Sequence, residues 1–313
     1  MNQKFHIPVM PKETIRLLNI KPKGIYIDGT LGGGGHASLI AKKLNSSGYL
    51  IGIDQDIDAL KFAKNRLKRY HIHKFFIHDN FQNLSKILHK LRINKVDGIL
   101  LDLGISTYQL ESPHRGFSFK NTDDDSLRLD MRMDSEQTLS AYEVVNCYDE
   151  ERLRNILYQL GEEPFAKSIA HQIILRRMGK PIKTPKDLLS VIKSATPPKY
   201  RFSRRDHWAS KVFRAIRMEV NQELPTLETV IPQAVTCLKK GGRLVIISFH
   251  SLEDRIVKHN FRALAIRQPQ EFQVLTKKPL RPTAGEIVEN PKADSAKLRV
   301  IEKLENLKNK PWN

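Results

Sequence analysis

The stretch that decides the fold is GIYIDGTLGGGGH, residues 24–36. It begins as a short apolar run and continues into a loop in which five of the seven residues from Gly29 to Gly35 are glycine. Glycine suits a tight turn where backbone N–H groups approach a ligand at the start of a helix. The stretch therefore predicts a strand, a ligand-binding loop and a helix in succession.

Further apolar runs resemble the first, which covers residues 24–28. They lie at 49–54, 74–78, 96–102 and 243–248. Runs without polar alternation are typical of strands buried on both faces of a sheet. Helical segments separate the first four strands, at 37–45, 57–70 and 83–92. This alternation predicts βαβ units, a parallel sheet and an α/β fold.

The interval of about 140 residues between the fourth and fifth strands is too long for one crossover. Apolar residues recur at helical spacing over 140–193, after a polar loop or lid at 111–126. We therefore expect an inserted helical domain at 106–207. The catalytic domain would be discontinuous, formed by 1–105 and 208–313.

The segments after the insertion are expected to complete the main fold. Two helices are predicted near 209–223 and 226–240, and Gly241-Gly242 is a plausible stop for the second. The tail contains two weaker strand candidates, at 272–277 and 297–302.

The charge of the chain points to a polyanionic partner. Lysine and arginine total 53 against 34 acidic residues, which gives a net charge of +19. Such an excess favours nucleic acid, with a generic basic surface as the alternative. The two cysteines, Cys147 and Cys237, form no CxxC pair and predict neither a zinc site nor a disulfide. No signal core or membrane-length apolar run occurs, so we expect a cytoplasmic protein without a membrane partner.

The glycine loop alone does not identify the cofactor. Its spacing Gly32-x-Gly34-x-x-Ala37 also fits the weak dinucleotide fingerprint. Asp54 ends the second strand, where an acidic side chain accepts hydrogen bonds from ribose hydroxyls. Because NAD and S-adenosylmethionine both contain this ribose, Asp54 does not distinguish them, and it could instead cap the following helix.

Acidic residues at the carboxyl ends of the strands favour S-adenosylmethionine. At or just after the ends of the first four strands stand Asp28, Asp54, Asp79 and Asp102, which are expected along one edge of the sheet. Carboxylates suit a cationic sulfonium better than a pyrophosphate. Phe81 follows the third strand and would either cover an adenine face or belong to the core.

A series of short motifs runs through most of the chain in a fixed order. They are HIPVM (6–10), YIDGTLGGGGH (26–36), DGILLDLGIS (97–106), QL (109–110), RGFSF (115–119), LDMRMD (129–134), GEEPFAK (161–167), VNQEL (220–224) and GGRLVIISFHSLEDR (241–255).

Taken together, these motifs resemble the bacterial small-subunit (16S) ribosomal RNA cytosine-N4 methyltransferase family over about residues 6–258. The resemblance implies a class I S-adenosylmethionine-dependent methyltransferase fold, Rossmann-like, with an inserted helical domain. It also implies methyl transfer to N4 of a cytidine in the decoding region of 16S rRNA. By position, it implies the cofactor contacts Gly34, Gly35, His36, Asp54, Phe81, Asp102 and Gln109.

The candidate catalytic residues follow the fourth and fifth strands. The lone pair of a cytidine N4 is delocalised into the ring, so catalysis must align the amine with the methyl group and accept its N–H. Asp102 and the backbone around Leu103 are placed for this, and His250 is a candidate base contact or proton acceptor. A helix-capping box at Ser251-x-x-Asp254 is the structural alternative. A cytosine-C5 enzyme would need a cysteine nucleophile, and neither cysteine has such a context.

The predicted RNA-facing segment, 193–217, mixes cations with aromatic residues. Cations suit phosphates and aromatic rings suit unstacked bases. A solvated helix face is the alternative. The residues we assign to RNA are Arg201, Arg204, Arg205, Trp208, Arg214 and Arg217.

Two other functions compete with this interpretation: an NAD-dependent oxidoreductase, and an RNA-binding assembly factor without activity. The expected partner is 16S rRNA within the 30S subunit or a late assembly particle. The sequence leaves the oligomeric state open, a dimer included.

Overall fold

A computed structural model describes residues 8–119, 126–202 and 207–305. In this part of the chain, the strands are β1 (Ile25–Asp28), β2 (Tyr49–Asp54), β3 (His73–His78), β4 (Val96–Asp102), β5 (Leu238–Ser248), β6 (Phe272–Val274) and β7 (Lys297–Lys303). The predicted strands of the main fold and of the tail are all present.

The helices of the described residues are numbered along the chain. They are α1 (Pro11–Leu18), α2 (Gly35–Ala41), α3 (Ile57–Leu67), α4 (Leu84–Lys90), α5 (Thr107–Glu111), α6 (Ala141–Cys147), α7 (Glu150–Gln159), α8 (Ala166–Gly179), α9 (Pro185–Ala195), α10 (Pro198–Phe202), α11 (Ser210–Asn221), α12 (Glu223–Cys237), α13 (Ser251–Arg267) and α14 (Ala284–Glu289). Short 3-10 turns lie at Phe81–Asn83, Pro113–Arg115 and Pro291–Ala293.

The strands form one sheet in the order β3-β2-β1-β4-β5-β7-β6. Strands β1 to β5 are parallel, whereas β7 is antiparallel to β5 and β6 is antiparallel to β7. The strand order reverses between β1 and β4, and ligands of open α/β sheets bind beyond the carboxyl ends of the strands at such a point. This is the class I methyltransferase arrangement, so the predicted Rossmann-like fold is confirmed.

Apolar side chains cover both faces of the sheet. Along β1, Tyr26 belongs to one buried cluster and Ile27 to the other, and β4 repeats this alternation with Leu100 and Leu101. Successive side chains of a strand point to opposite faces. The apolar runs seen in the sequence are therefore strands buried on both faces of the sheet. Packing on both faces holds the carboxyl ends of the strands in place.

A second compact unit comprises residues 105–223, and residues 1–104 with 224–313 form the first unit. Helices α5 to α11 belong to the second unit and enclose their own apolar cluster. The sequence places the boundary at 207, whereas the structure places it after Glu223. The reason is that α11 contributes Val212, Phe213 and Ile216 to the helical core.

The predicted helix over 226–240 is wrong at its end. Helix α12 stops at Cys237, and Gly241-Gly242 lie inside β5. The pairing of β4 with β5 shifts between Val96 and Gly98, and Gly241 adopts a φ of 73°. The glycines accommodate a bulge, not a helix stop. Over the described residues, none of the helices is both long and apolar enough to cross a membrane.

Candidate functional site

The glycine loop joins β1 to α2 as predicted. Gly34 precedes α2 with a φ of 70°, a left-handed conformation that favours glycine. A Cβ atom added to Gly34 would lie 3.2 Å from the Cβ of Ala63 on α3. The position therefore requires glycine for its backbone angle and for the close approach of α2 to α3.

Three polar residues meet where β1, β4 and α2 converge. His36, in the first turn of α2, has Nε2 3.5 Å from Oδ2 of Asp102 at the end of β4. Asp28 ends β1 and is 1% exposed. Oδ2 of Asp28, Oδ1 of Asp102 and both ring nitrogens of His36 are buried without a hydrogen-bond partner. Buried polar atoms are normally paired, so this group is suited to a ligand.

The charge of this group fits a cationic ligand. Burial, together with the neighbouring carboxylates Asp102 and Asp54, raises the pKa of Asp28 to about 7, although His36 opposes the shift. A positive ligand charge nearby would favour the ionised form of Asp28. The residues present therefore fit the sulfonium of S-adenosylmethionine.

Asp54, at the end of β2, is oriented by backbone donors. Its Oδ2 accepts the N–H of Gly32 at 2.7 Å and its Oδ1 accepts that of Asp56 at 2.9 Å. Burial raises its pKa to about 6 despite these hydrogen bonds. The N-cap of α3 is Asp56, whose side chain accepts the N–H of Asp58. The alternative of Asp54 as helix cap is therefore wrong.

The residues after β3 have partners of their own. Phe81 opens a 3-10 turn and packs, half-buried, against the core cluster that contains Ile27 and Leu101. Asp79 accepts hydrogen bonds from the backbone of Asn80 and the side chain of Asn83, both at 2.7 Å. An adenine contact through Phe81 remains a prediction.

The other predicted cofactor residues lie in different units. Gly35 begins α2 beside His36, in the first unit. Gln109 belongs to the second unit, where its side chain accepts the N–H of Ser106 in a capping box at the start of α5. A cofactor contact through Gln109 stays a prediction.

His250 is part of a capping box with Glu253 at the start of α13, instead of the predicted Ser251–Asp254 pair. Its Nδ1 accepts the N–H of Glu253 at 3.4 Å, and Glu253 accepts the N–H of Phe249 at 2.8 Å. Asp254 pairs with Arg299 at 2.6 Å. Nε2 of His250 lies 3.2 Å from Oε1 of Glu253, so both ring nitrogens face that residue, and a role of His250 as base contact or proton acceptor stays a prediction.

The described arginines of the predicted RNA segment all contact protein acceptors. Arg201 donates to the carbonyl oxygens of Lys193 and Thr196, which lie at the end of α9. The Arg214 guanidinium donates to the carbonyl oxygen of Gly161. Arg217 forms a bidentate ion pair with Glu223, with N–O distances of 2.7 and 2.8 Å.

The remaining residues of this segment are half-buried or outside the described residues. Trp208 is half-buried against the helical core. Arg204 and Arg205, like His6 of the first motif, lie outside the described residues.

The sequence does not predict the role of Thr30. Its Oγ1 accepts the N–H of Asp102 at 2.6 Å and so ties the glycine loop to the end of β4. The two residues are far apart in the chain, so only the sheet order reveals the contact. Its one local signal is a hydroxyl residue two positions after the end of the first strand.

Comparison with known proteins shows extensive similarity. The model of the MraW methylase family matches residues 3–304. Ribosomal RNA small subunit methyltransferase H of Clostridium botulinum (strain Kyoto / Type A2) is 48% identical, with 96% of this chain and 99% of that protein aligned. The protein of the same name from Fusobacterium nucleatum is 44% identical, with 96% and 97% aligned.

Solved structures resemble the chain at low sequence identity. An rRNA methylase from Streptococcus thermophilus has a TM-score of 0.42 at 13% identity and aligns over 94% of each chain. A SAM-dependent O-methyltransferase from Thermotoga maritima has a TM-score of 0.44 at 13% identity, covering 97% of this chain and 69% of that one.

Proposed function

This chain belongs to the MraW methylase family, and on that premise we propose that it methylates the N4 amine of a cytidine in the decoding region of 16S rRNA. More broadly, the chain is a methyltransferase of small-subunit ribosomal RNA, as its relatives are named. S-adenosylmethionine is its cofactor, so the NAD alternative is set aside. The observation that carries the proposal is the buried group of Asp28, His36 and Asp102, which has polar atoms without partners.

Different residues of the first unit are proposed to bind different parts of the cofactor. When bound, S-adenosylmethionine supplies an electrophilic methyl group on a cationic sulfur. The carboxylates of Asp28 and Asp102 would stabilise that positive charge in a buried setting where electrostatic effects are strong. The loop at Gly34, Gly35 and His36 would bring backbone N–H groups close to the ligand, and Asp54 would accept the ribose hydroxyls.

The end of β4 is the proposed place of methyl transfer. The N–H of Leu103 still pairs with the carbonyl of Ile247 at 2.9 Å, and Gly104 then turns the chain with a φ of 93°. Backbone carbonyls at this turn would accept an N–H of the cytidine amine and align its lone pair. S-adenosylmethionine would supply the methyl group at this turn, and solvent would take the proton that N4 gives up on methylation. His250 lies just after β5, at the same end of the sheet, and is the proposed side-chain contact of the base.

The position of Cys237 supports amine methylation over C5 methylation. A C5 enzyme attacks the base with a thiolate. Cys237 ends α12 directly before β5, at the opposite edge of the sheet from Asp102. Burial raises the pKa of its thiol to about 12, so the thiolate is scarce at neutral pH. Cys147 is exposed on α6 of the second unit.

The net charge of +19 supports a nucleic acid substrate. We assign RNA contact to Trp208, Arg201, Arg214 and Arg217 through the parts of their side chains that remain exposed, and to Arg204 and Arg205. The substrate is taken to be the 30S subunit or a late assembly particle, in which the target base leaves its stack.

The first test is transfer of a tritiated methyl group to 30S subunits and to naked 16S rRNA, both from cells that lack the gene. Nucleoside mass spectrometry should find N4-methylcytidine. The double variant Cys147→Ser/Cys237→Ser should keep full activity, whereas a C5 enzyme would lose it. Tight RNA binding without transfer to any substrate would contradict the proposal and support an assembly factor.

A further inference from the structure

Two consecutive helices of the second unit carry a concentrated positive charge. The α8–α9 hairpin, defined as residues 166–195, contains seven lysines and arginines and one aspartate, a net charge of +6. The segment before it, residues 141–165, contains six acidic residues and two arginines, a net charge of −4. The positive charge of this unit is therefore concentrated on particular helices instead of being spread evenly over its surface.

A groove runs between the two helices of the hairpin. The Ser168 hydroxyl on α8 donates to the carbonyl oxygen of Ala195 at 2.9 Å, and the Arg176 guanidinium lies 3.8 Å from the Asp187 carboxylate. These contacts join the start of each helix to the end of the other, so α8 and α9 are antiparallel. The groove has a volume of about 240 Å³ and is lined by Gln172, Leu175, Arg176, Ser190, Val191 and Ser194. Hydroxyl, amide and guanidinium groups are the donors that contact phosphate oxygens in nucleic acid complexes.

The exposed face of α9 beside this groove is entirely polar. Lys186, Ser190 and Lys193 follow at helical spacing of four and three residues, so they lie on one face, and all three are exposed. An uninterrupted face of lysine and serine offers cations and hydroxyls without an apolar side chain between them. Such a face matches a polyanion better than it matches an apolar partner.

The lysines of the hairpin are not neutralised by the fold. Over the described residues, the side chains of Lys180, Lys183 and Lys193 form neither an ion pair nor a hydrogen bond. Asp187, the one carboxylate of the hairpin, instead accepts the backbone N–H groups of Lys183 and Thr184 at the start of α9. The positive charge of the hairpin therefore remains available to a ligand.

The hairpin contains no phenylalanine, tyrosine or tryptophan. Surfaces that bind unpaired nucleotides combine cations with aromatic rings, because the rings stack on exposed bases. Double-helical RNA, by contrast, is recognised through its shape, its phosphates and its 2′-hydroxyls. Cations and hydroxyls without rings therefore favour the backbone of a duplex over unstacked bases.

We propose that the α8–α9 hairpin binds the phosphate backbone of a double-helical segment of the RNA substrate. This inference rests on the proposed function only for the identity of the RNA. Contacts with phosphates fix the register and orientation of a bound nucleic acid without reading its sequence. Lys193 is also the first residue of the basic segment at 193–217, so the two surfaces are continuous in the chain. The hairpin holds a duplex that flanks the target, and the basic segment contacts the unpaired nucleotides.

The salt dependence of binding tests the surface directly. The probe is an RNA duplex of about 16 base pairs, and the variant is Lys180→Gln/Lys183→Gln/Lys193→Gln. Each phosphate contact contributes about 0.7–0.9 to the slope of log K against log salt concentration, so the slope should become shallower by roughly 2 to 3. All three side chains are exposed, so the melting temperature should stay the same.

Two further variants separate specific contacts from general attraction. Lys86→Gln/Lys90→Gln/Lys258→Gln removes the same charge from exposed positions on α4 and α13 of the first unit and should leave the slope nearly unchanged. Lys180→Arg/Lys183→Arg/Lys193→Arg keeps the charge and should keep the wild-type slope. Equal changes of slope in the two glutamine variants would show that the duplex responds only to net charge and would overturn the proposal.

An anionic membrane is the competing partner for this surface. Leu175 and Met178 on α8 are 49% and 79% exposed, and apolar side chains among cations also suit a membrane surface. The polar face of α9 favours RNA, so the wild type should not float with vesicles of phosphatidylcholine and phosphatidylserine. Vesicle binding that the hairpin glutamine variant loses, together with an unchanged slope for the RNA duplex, would assign the hairpin to a membrane instead.

Methyl transfer separates this inference from the function on which it rests. With 30S subunits, the hairpin glutamine variant should raise the KM for RNA and leave both kcat and the KM for S-adenosylmethionine unchanged. If the wild-type protein methylates no 16S rRNA, the proposed function fails, and the salt slopes still decide whether the hairpin binds duplex RNA. If the wild type transfers methyl groups and the variant does so with the same KM for RNA, only the hairpin contact fails.

Discussion

The carboxyl edge of the sheet and the basic segment at 193–217 differ in whether their charged side chains have hydrogen-bond partners within the protein. At the edge, Asp28 and Asp102 keep buried oxygens without hydrogen-bond partners. In the basic segment, Arg201, Arg214 and Arg217 already donate to protein acceptors. A charge left unsatisfied by the fold indicates a ligand site, whereas a charge the fold has already paired contributes first to stability.

The largest effect is expected from removing the charge at the end of β4. Asp102→Ala should abolish methyl transfer and weaken S-adenosylmethionine binding by about 10- to 150-fold, the range for hydrogen bonds to charged groups. The backbone contact with Thr30 does not depend on the Asp102 side chain, so the loop should stay in place. Calorimetric titration measures the affinity. Asp58→Ala, an exposed carboxylate on α3, is the control and should bind normally; equal losses in both variants would contradict the assignment.

The raised pKa of Asp28 predicts a pH dependence of opposite sign for stability and for binding. Between its ordinary value of 3.8 and about 7, the folded chain holds a proton that the unfolded chain has released. The free energy of unfolding should therefore fall as pH rises through this window, by up to about 4 kcal/mol at 1.4 kcal/mol per unit. The affinity for the cationic cofactor should rise over the same range, because binding favours the carboxylate.

Denaturant unfolding and cofactor titration, each from pH 4 to pH 8 (a window of about four units), measure both slopes. Asp28→Asn should flatten them and leave only the smaller contribution of Asp54, whose pKa is about 6. Slopes that persist unchanged in Asp28→Asn would assign the titration to another group.

A smaller effect is expected from the arginine pairs. Arg217 and Glu223 are 15% and 9% exposed, whereas Arg154 and Glu151 are 46% and 78% exposed. Arg217→Gln should lower the free energy of unfolding by about 2 kcal/mol, and Arg154→Gln by less than about 0.5 kcal/mol. Both variants lose one positive charge, so general attraction to RNA falls equally. The RNA contact proposed for Arg217 predicts a further loss of RNA affinity in Arg217→Gln beyond that of Arg154→Gln, and equal losses in the two variants would contradict that contact.

The smallest effect is expected from glycine substitutions. Gly34→Ala places a side chain at a φ of 70° beside Ala63 and should lower the free energy of unfolding by about 1–2 kcal/mol. Gly179→Ala, at the end of α8, meets nothing within 4 Å and should be neutral or slightly stabilising. Thermal melts of the two variants give the difference. Equal melting temperatures would show that the loop tolerates a side chain at position 34.

The sequence predicts the sheet better than the contacts at its edge. Strands β2 and β4 have the predicted bounds, because each is an apolar run that ends in aspartate. The prediction of a helix end at Gly241-Gly242 is wrong, because two glycines suit a helix stop and a strand bulge equally well. The start of β5 depends instead on its pairing with β4, which no local pattern shows.

Side-chain pairing is harder still to predict. Arg217 and Glu223 do not have the spacing of a helical ion pair. They meet because Gln222, with a φ of 49°, turns the chain between α11 and α12. The contact of His36 with Asp102 likewise requires the order of strands in the sheet. The sequence thus predicts which residues reach the edge of the sheet, whereas their partners depend on tertiary structure.

The separation of β4 from β5 has a consequence for synthesis on the ribosome. The two strands are neighbours in the sheet, but β4 ends at Asp102 and β5 begins at Leu238. Translation adds 5–20 residues per second, so β5 begins to be synthesised roughly 7 to 27 s after β4 is complete. During that delay the nascent sheet exposes an apolar edge strand, a hazard for aggregation. Residues 105–223 enclose an apolar cluster of their own and can fold within this interval. Chaperone demand should therefore peak before β5 emerges, not at the end of translation.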